Sequence, residues 1–227
     1  MTRLLSMLGI AIWLSSCCPS AKPPPSSAAV EPDMHVVMVH GFLEDGRNYK
    51  MLRKRLEEKN VGCHVIRLEP SDGRVGIEAL AESMKEQIHE KLGPTQDFSI
   101  VGYSMGGLVS RYYLQNMEGA KRCKQFITVA TPHHGTVVAH CYFGKGAYQM
   151  RRGSKFLKQL ASTEDNLGNM PITSYRTPLD LIIVPSTSSI WERAENRRHW
   201  VPLHPLMLNV PTVLGDIEER LMRDRES

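Results

Sequence analysis

The sequence predicts an α/β fold in which a mostly parallel sheet of about six strands carries helices on both faces. Three features predict it. Short apolar runs rich in Val and Ile alternate with segments whose apolar residues recur at helical spacing. The clearest runs lack the in-out alternation of a strand with one wet face, and so read as covered on both sides. The order strand-then-helix repeats from near Met34 onward, which within one sheet means right-handed crossovers between parallel neighbours.

Taken in order, His35-Val36-Val37-Met38-Val39 reads as the first strand, after which Tyr49, Leu52 and Leu56 fall on one helical face. The second strand is His64 to Leu68. Ile77, Leu80, Ala81, Met84, Ile88 and Leu92 then make the cleanest helix in the chain, and Gly93-Pro94 ends it. Glycine accepts the left-handed cap there, and proline cannot continue the helix. Phe98 to Tyr103 is a third strand running into an apolar helix from Gly107 to Met117, and Gln125 to Ala130, rich in β-branched residues, is a fourth. Pro171 to Arg176 and Arg197 to Val201 are weaker candidates for two more strands, and Val210 to Met222 is a final helix. The stretch near residues 137–170 is long for a connector and reads as a small cap segment with structure of its own.

Composition bounds the function. With 227 residues, 41% of them hydrophobic and 23% charged, the chain can bury one sizeable core, placed here at residues 34–227. The net charge of +4 comes in short groups such as Lys121-Arg122 and Arg197-Arg198, without interleaved aromatics or an RNA-binding signature. These are solvated faces, and no nucleic-acid partner is expected. No CxxC pair or HExxH motif occurs, so no metal or other cofactor is expected either.

Residues 1–16 read as a signal peptide: Arg3 precedes an apolar stretch from Leu4 to Leu14, shorter than the roughly 20 residues a spanning helix needs. The end of that stretch, Leu14-Ser15-Ser16-Cys17, resembles the lipobox of bacterial lipoproteins, in which cleavage precedes the Cys and that Cys is acylated. The resemblance implies a lipid anchor on Cys17, the membrane as a partner, and a place on a bacterial membrane facing the periplasm or exterior. Ordinary cleavage and free secretion is the alternative. Residues 17–33, dominated between Pro19 and Pro32 by Pro, Ser and Ala, read as an extended tether. An oxidising compartment permits a disulfide among Cys63, Cys123 and Cys141, with no pairing readable from sequence.

Between the third strand and its helix stands Gly102-Tyr103-Ser104-Met105-Gly106-Gly107, a G-x-S-x-G nucleophile elbow in the strand-to-helix context that the motif requires. Ser104 there occupies a tight, strained turn, and Gly102 and Gly106 remove side chains that would collide with the neighbouring strand and helix. A hydroxyl becomes nucleophilic only when a base takes its proton, and the tetrahedral oxyanion then needs donors aimed at it. One donor is expected to be the backbone N–H of Met105. The other is expected in His40-Gly41-Phe42, directly after the first strand, with the Phe42 N–H as donor and His40 and Gly41 supporting the loop.

Val39-His40-Gly41-Phe42, the elbow, and Thr131-Pro132-His133-His134-Gly135-Thr136 resemble, in order and spacing, the corresponding blocks of bacterial α/β-hydrolase lipases and esterases. Residues 149–157 resemble part of the cap segment in some of them. The resemblance implies the α/β-hydrolase fold and a catalytic order of nucleophile, acid, histidine. Thr177-Pro178-Leu179-Asp180 is similar to the family's acid loop, which makes Asp180 the acid and leaves Asp165 in reserve. His204, before the last helix, resembles the family's catalytic histidine; His199, in the last expected strand, competes with it. His133 and His134 are expected to shape the pocket rim. The implied activity is hydrolysis of lipid or other acyl esters through an acyl-enzyme on Ser104. A thioesterase or acyltransferase with the same triad, and a silent anchored binding protein, are the alternatives.

Overall fold

A computed structural model describes residues 31–226. The expected signal peptide, Cys17 and the tether as far as residue 30 lie outside the described residues. Six strands form one sheet: β1 (Met34–Val39), β2 (Val61–Ile66), β3 (Phe98–Tyr103), β4 (Cys123–Val129), β5 (Ile172–Arg176) and β6 (Glu195–Arg198). Their order is β2-β1-β3-β4-β5-β6, and every neighbouring pair is parallel, so the sheet is wholly rather than mostly parallel.

In the strands inside the sheet, residues of the two faces enter different cores. Val37 and Val39 of β1 join a cluster with α2 (Ile77–Leu92) and α3 (Met105–Asn116), whereas Val36 and Met38 join one with α1 (Lys50–Glu57) and α6 (Pro211–Glu226). Helices therefore cover both faces, which is why the strand interiors carry no polar alternation. In α6 the inward stripe is Val213, Leu214, Ile217 and Leu221, all fully buried; in α1 it is Leu52 and Leu56.

Three strand assignments shift, β4 to Cys123–Val129 from the expected Gln125 to Ala130, and β2 and β6 by more. β2 runs from Val61 rather than His64 because it pairs with β1 residue for residue, Met34 opposite Val61 through Val39 opposite Ile66. Leu68 lies beyond the strand, its N–H donating to His40 Nε2 at 3.0 Å. β6 ends at Arg198, and Val201 instead exchanges hydrogen bonds with the Thr177 hydroxyl. β6 is an exposed edge whose Glu195 takes both ends of the Arg220 guanidinium at 2.6 and 2.7 Å. Charge on such an edge discourages further strand pairing.

Between β4 and β5 the chain forms a short 3-10 turn (Val137–Cys141), α4 (Lys145–Gln149), α5 (Lys155–Ser162) and a second 3-10 turn (Glu164–Leu167). Only its first part borders the site described below. The second part packs beside α3, where the buried Arg111 pairs with Glu164 and lies 4.4 Å from the Trp191 ring centroid. No helix among the described residues is long and apolar enough to cross a membrane.

The order of the strands decides where chemistry can sit. The chain goes from β1 outward to β2, then back across β1 to β3, so the loops after β1 and β3 diverge over adjacent strands. A crevice at the carboxyl ends follows, the usual site of ligand binding in such sheets.

Candidate active site

Ser104 lies in that crevice, at the junction of β3 and α3. Its φ of 52° and ψ of −124° are costly for a residue with a side chain, by roughly 1–3 kcal/mol, and its N–H is held by the Val129 carbonyl at 2.8 Å. The glycines make the bend possible. A Cβ on Gly106 would stand 2.2 Å from the Val39 carbonyl oxygen, and one on Gly102 2.7 Å from the Gly107 Cα. Any larger residue at either place would push α3 away from β1 or β3.

The loop after β1 approaches the same serine, since a Cβ on Gly41 would meet Ser104 Cβ at 2.9 Å. His40, 1% exposed, braces this loop with both ring nitrogens: Nδ1–H donates to the Gly41 carbonyl and Nε2 accepts from Leu68 N–H, each at 3.0 Å. Burial lowers its pKa, in keeping with a neutral prop. Gly41 N–H donates to Glu44 Oε2 and Leu43 N–H to the Ser71 carbonyl, both at 3.0 Å. The Phe42 N–H between them has no protein acceptor among the described residues. Met105 opens α3, so its N–H has no carbonyl one turn back to bond. Two unengaged amides thus flank Ser104.

Asp180 and His204, 24 residues apart, meet beside the elbow: His204 Nδ1 is 2.8 Å from Asp180 Oδ2. Oδ1 of the same carboxylate accepts from Ile182 and Ile183 N–H at 2.9 and 2.8 Å. Fully engaged, the carboxylate keeps the proton of a neutral imidazole on Nδ1 and leaves Nε2 as acceptor. The Tyr103 hydroxyl donates to the His204 carbonyl at 3.0 Å, and the two rings lie 5.0 Å apart. Tyr103 immediately precedes Ser104, so the histidine loop is fastened to the elbow itself.

The rival residues lie elsewhere. His199 packs on Tyr175 and reaches Asp216 at 3.5 Å, against α6. Asp165 is exposed on the second 3-10 turn. His133 does not shape a rim: it is 2% exposed, stacked on Trp191 at 4.5 Å, with Nε2 3.1 Å from the Thr128 hydroxyl. Burial, and then the Arg111 charge, hold it well below the ordinary histidine range. His134 is at the surface beside Glu192. Pro132 and Thr136, from the same block, border the pocket in their place. Among the described residues Cys63, Cys123 and Cys141 form no disulfide, and burial pushes the first two thiols up to about 12.

The pocket opening beside Ser104 is apolar, walled by Phe42, Ala139, Tyr142, Met150 and Ile183 among others. Ile182 of the lining is also exposed, and further exposed apolar side chains lie on segments that follow the strands: Leu43 after β1, Phe143 after β4, Leu181 after β5, and Trp200 and Leu203 after β6. Among the described residues no group of three or more His, Cys, Asp or Glu is placed to hold a metal ion.

The model of the palmitoyl protein thioesterase family matches residues 35–175, from β1 through β5 and so across the loop after β1 and the bend at Ser104. The chain belongs to the palmitoyl protein thioesterase family. The match ends before Asp180 and His204, so the pairing of these two residues in this palmitoyl protein thioesterase family member is read from the geometry above. Over 120 residues it is 30% identical to lysosomal thioesterase PPT2 of Bos taurus and 29% identical to that of Homo sapiens, 51% of this chain and 38% of each relative. The chain therefore spans less than half the length of the relatives it matches.

Solved structures share the fold at low identity. Bacillus licheniformis lipase BlEst2 in mature form has a TM-score of 0.68 at 17% identity, covering 90% of this chain and 96% of that one. Aspergillus fumigatus lipase B has 0.72 at 16%, over 89% and 55%. Paleococcus ferrophilus monoacylglycerol lipase has 0.66 at 13%, over 86% and 96%.

Two further residues of the site were not singled out from sequence. Glu44 accepts from Gly41 N–H and from the Asn48 amide at 2.9 Å, and burial raises its pKa. An acid four residues after His40 was the available signal. The Thr136 hydroxyl donates to the Ile182 carbonyl at 2.7 Å and accepts from Val184 N–H at 3.0 Å, tying the first 3-10 turn after β4 to the loop that carries Asp180.

Proposed function

We propose that this chain is a serine hydrolase that cleaves carboxylic acyl esters through an acyl-enzyme on Ser104. The observation that carries the reading is the 2.8 Å bond from His204 to Asp180 on a loop fastened to the Ser104 elbow. His204 Nε2 takes the Ser104 proton as Oγ attacks the acyl carbonyl, and the resulting oxyanion is met by the N–H groups of Phe42 and Met105. The imidazolium, steadied by Asp180, returns its proton to the leaving group as that bond breaks. Water then repeats the attack on the ester of Ser104. The apolar pocket favours an acyl group over a polar one.

A thioester in place of the oxygen ester is the second reading, favoured by membership of a thioesterase family. The chemistry is the same with a thiol as leaving group. Ser104→Ala and His204→Ala should each lower turnover of p-nitrophenyl and thioester substrates to near background, and Ser104→Ala should also stop fluorophosphonate labelling. His199→Ala should remain active. Ester turnover by Ser104→Ala near the wild-type rate would end the proposal.

We also propose export and anchoring through Cys17, supported by the lipobox-like Leu14-Ser15-Ser16-Cys17. Full-length protein should enter the detergent phase on phase separation, and Cys17→Ser should not. Equal partitioning of the two would mean free secretion.

A further inference from the structure

Two aromatic rings from different parts of the chain meet in the lining of the pocket that Ser104 also lines. Phe42, on the oxyanion loop, meets Tyr142, after the first cap turn, edge to face at 4.7 Å between centroids. Both line the pocket. The space left is about 40 Å³, room for a few heavy atoms when one water needs about 10–15 Å³ on this kind of measure.

The wall is tied down. Arg151 donates to the Ala139 carbonyl at 3.3 Å and the Tyr142 carbonyl at 3.2 Å, with its guanidinium 4.2 Å from the Tyr148 ring centroid. Just beyond Tyr142 the chain passes Gly144 at φ 117°, where a Cβ would stand 2.4 Å from the Gly73 carbonyl oxygen. Lys145 N–H then bonds the Arg74 carbonyl, and Gly146 and Ala147 N–H the Gly73 carbonyl, at 3.0 to 3.2 Å. Tyr142 is thus held from both sides, by Arg151 and by the Gly73–Arg74 turn. The residue is 40% exposed, and its ring is the removable part of a fixed segment.

We propose that Tyr142 sets the length of acyl chain this site accepts, by holding Phe42 across the pocket, and that the chain accepted is short. The proposal rests on the serine hydrolase reading and narrows its substrate class to esters of short fatty acids. The contact also couples chain length to chemistry. A chain long enough to push Phe42 aside would move the backbone that carries the Phe42 N–H.

The test is a series of p-nitrophenyl esters from acetyl to palmitoyl, with kcat/KM measured for the full chain and for Tyr142→Ala and Tyr142→Phe. Wild type and Tyr142→Phe, which both keep the ring, should peak among the shortest esters. Tyr142→Ala should raise the octanoyl-to-acetyl ratio of kcat/KM at least about 10-fold, as expected when a pocket gains room for one or more methylenes. Thermal unfolding and fluorophosphonate labelling of Ser104 verify that each variant is folded and chemically competent. A wild-type preference for palmitoyl, or a folded, labelled Tyr142→Ala with an unchanged profile, overturns the assignment of Tyr142 and leaves the hydrolase reading standing. A wild-type chain that neither labels nor turns over any ester overturns both.

Discussion

Replacing Asp180 by Asn changes one atom and should reverse the polarity of the site. Oδ1 keeps its two acceptor contacts with Ile182 and Ile183 N–H at 2.9 and 2.8 Å, so the side chain keeps its place. The atom facing His204 Nδ1 at 2.8 Å becomes an NH2 donor, and the imidazole must turn its Nδ1 lone pair toward it. The proton then resides on Nε2, where the base is needed. The same wrong-tautomer change in serine proteases lowers kcat by about 10⁴, which is about 5 kcal/mol of transition-state stabilisation. Folding should suffer little. Asp180→Ala is the contrast, because it leaves the buried Ile183 N–H without an acceptor, at roughly 1–3 kcal/mol, and the half-buried Ile182 N–H with it. The pair therefore separates orientation from stability: Asn should lose turnover with a melting temperature within a few degrees of wild type, and Ala should lose both. Steady-state hydrolysis of a soluble p-nitrophenyl ester and a thermal melt read the two quantities. An Asn variant within 10-fold of wild-type kcat would refute the reasoning, as would an equal loss from Asp165→Asn.

Two other predictions follow from the buried polar groups. Glu44→Ala removes the acceptor that fixes Gly41 N–H and should lower kcat roughly 10- to 100-fold with little change in KM, since a misplaced oxyanion donor costs transition-state binding; Glu44→Gln, which still accepts, should stay within a few-fold of wild type. His40 and His133 are protonated less readily in the folded chain than in the unfolded one, because burial lowers both pKa values. Their effect on stability is nil above about pH 6.5 and becomes destabilising as pH falls below it, by at most about 1.4 kcal/mol per pH unit for each. Melting temperatures should therefore drop between pH 7 and 5.5, less steeply in His133→Gln, and a flat profile would contradict the assignment.

Most of the fold was legible because its signals are local. A helix stripe such as Ile77, Leu80, Ala81, Met84 and Ile88 repeats at helical spacing within a few turns, and β3 was placed at its observed bounds by its apolar run and the elbow behind it. Edges were less legible. Where β2 begins is decided by β1 lying beside it, and β6 carries four exposed residues, so no burial pattern marks its limits.

The sequence by itself determined that a serine would stand on a strained bend between a buried strand and a helix, because the bend demands glycines at fixed offsets and those are contiguous in the chain. The family resemblance supplied His204 and Asp180. Only the tertiary structure set the histidines apart by their surroundings. It buried His133 beneath Trp191, set His199 against Asp216 on α6, and brought His204 to Asp180 and Tyr103. A side chain's chemical role depends on which groups surround it in space, and those groups come from loops at the carboxyl ends of separate strands, whose meeting is fixed by strand order and not by any local pattern. Glu44 and Tyr142 stayed unread for the same reason: one matters through a backbone N–H of Gly41 and the other through a ring 100 residues away.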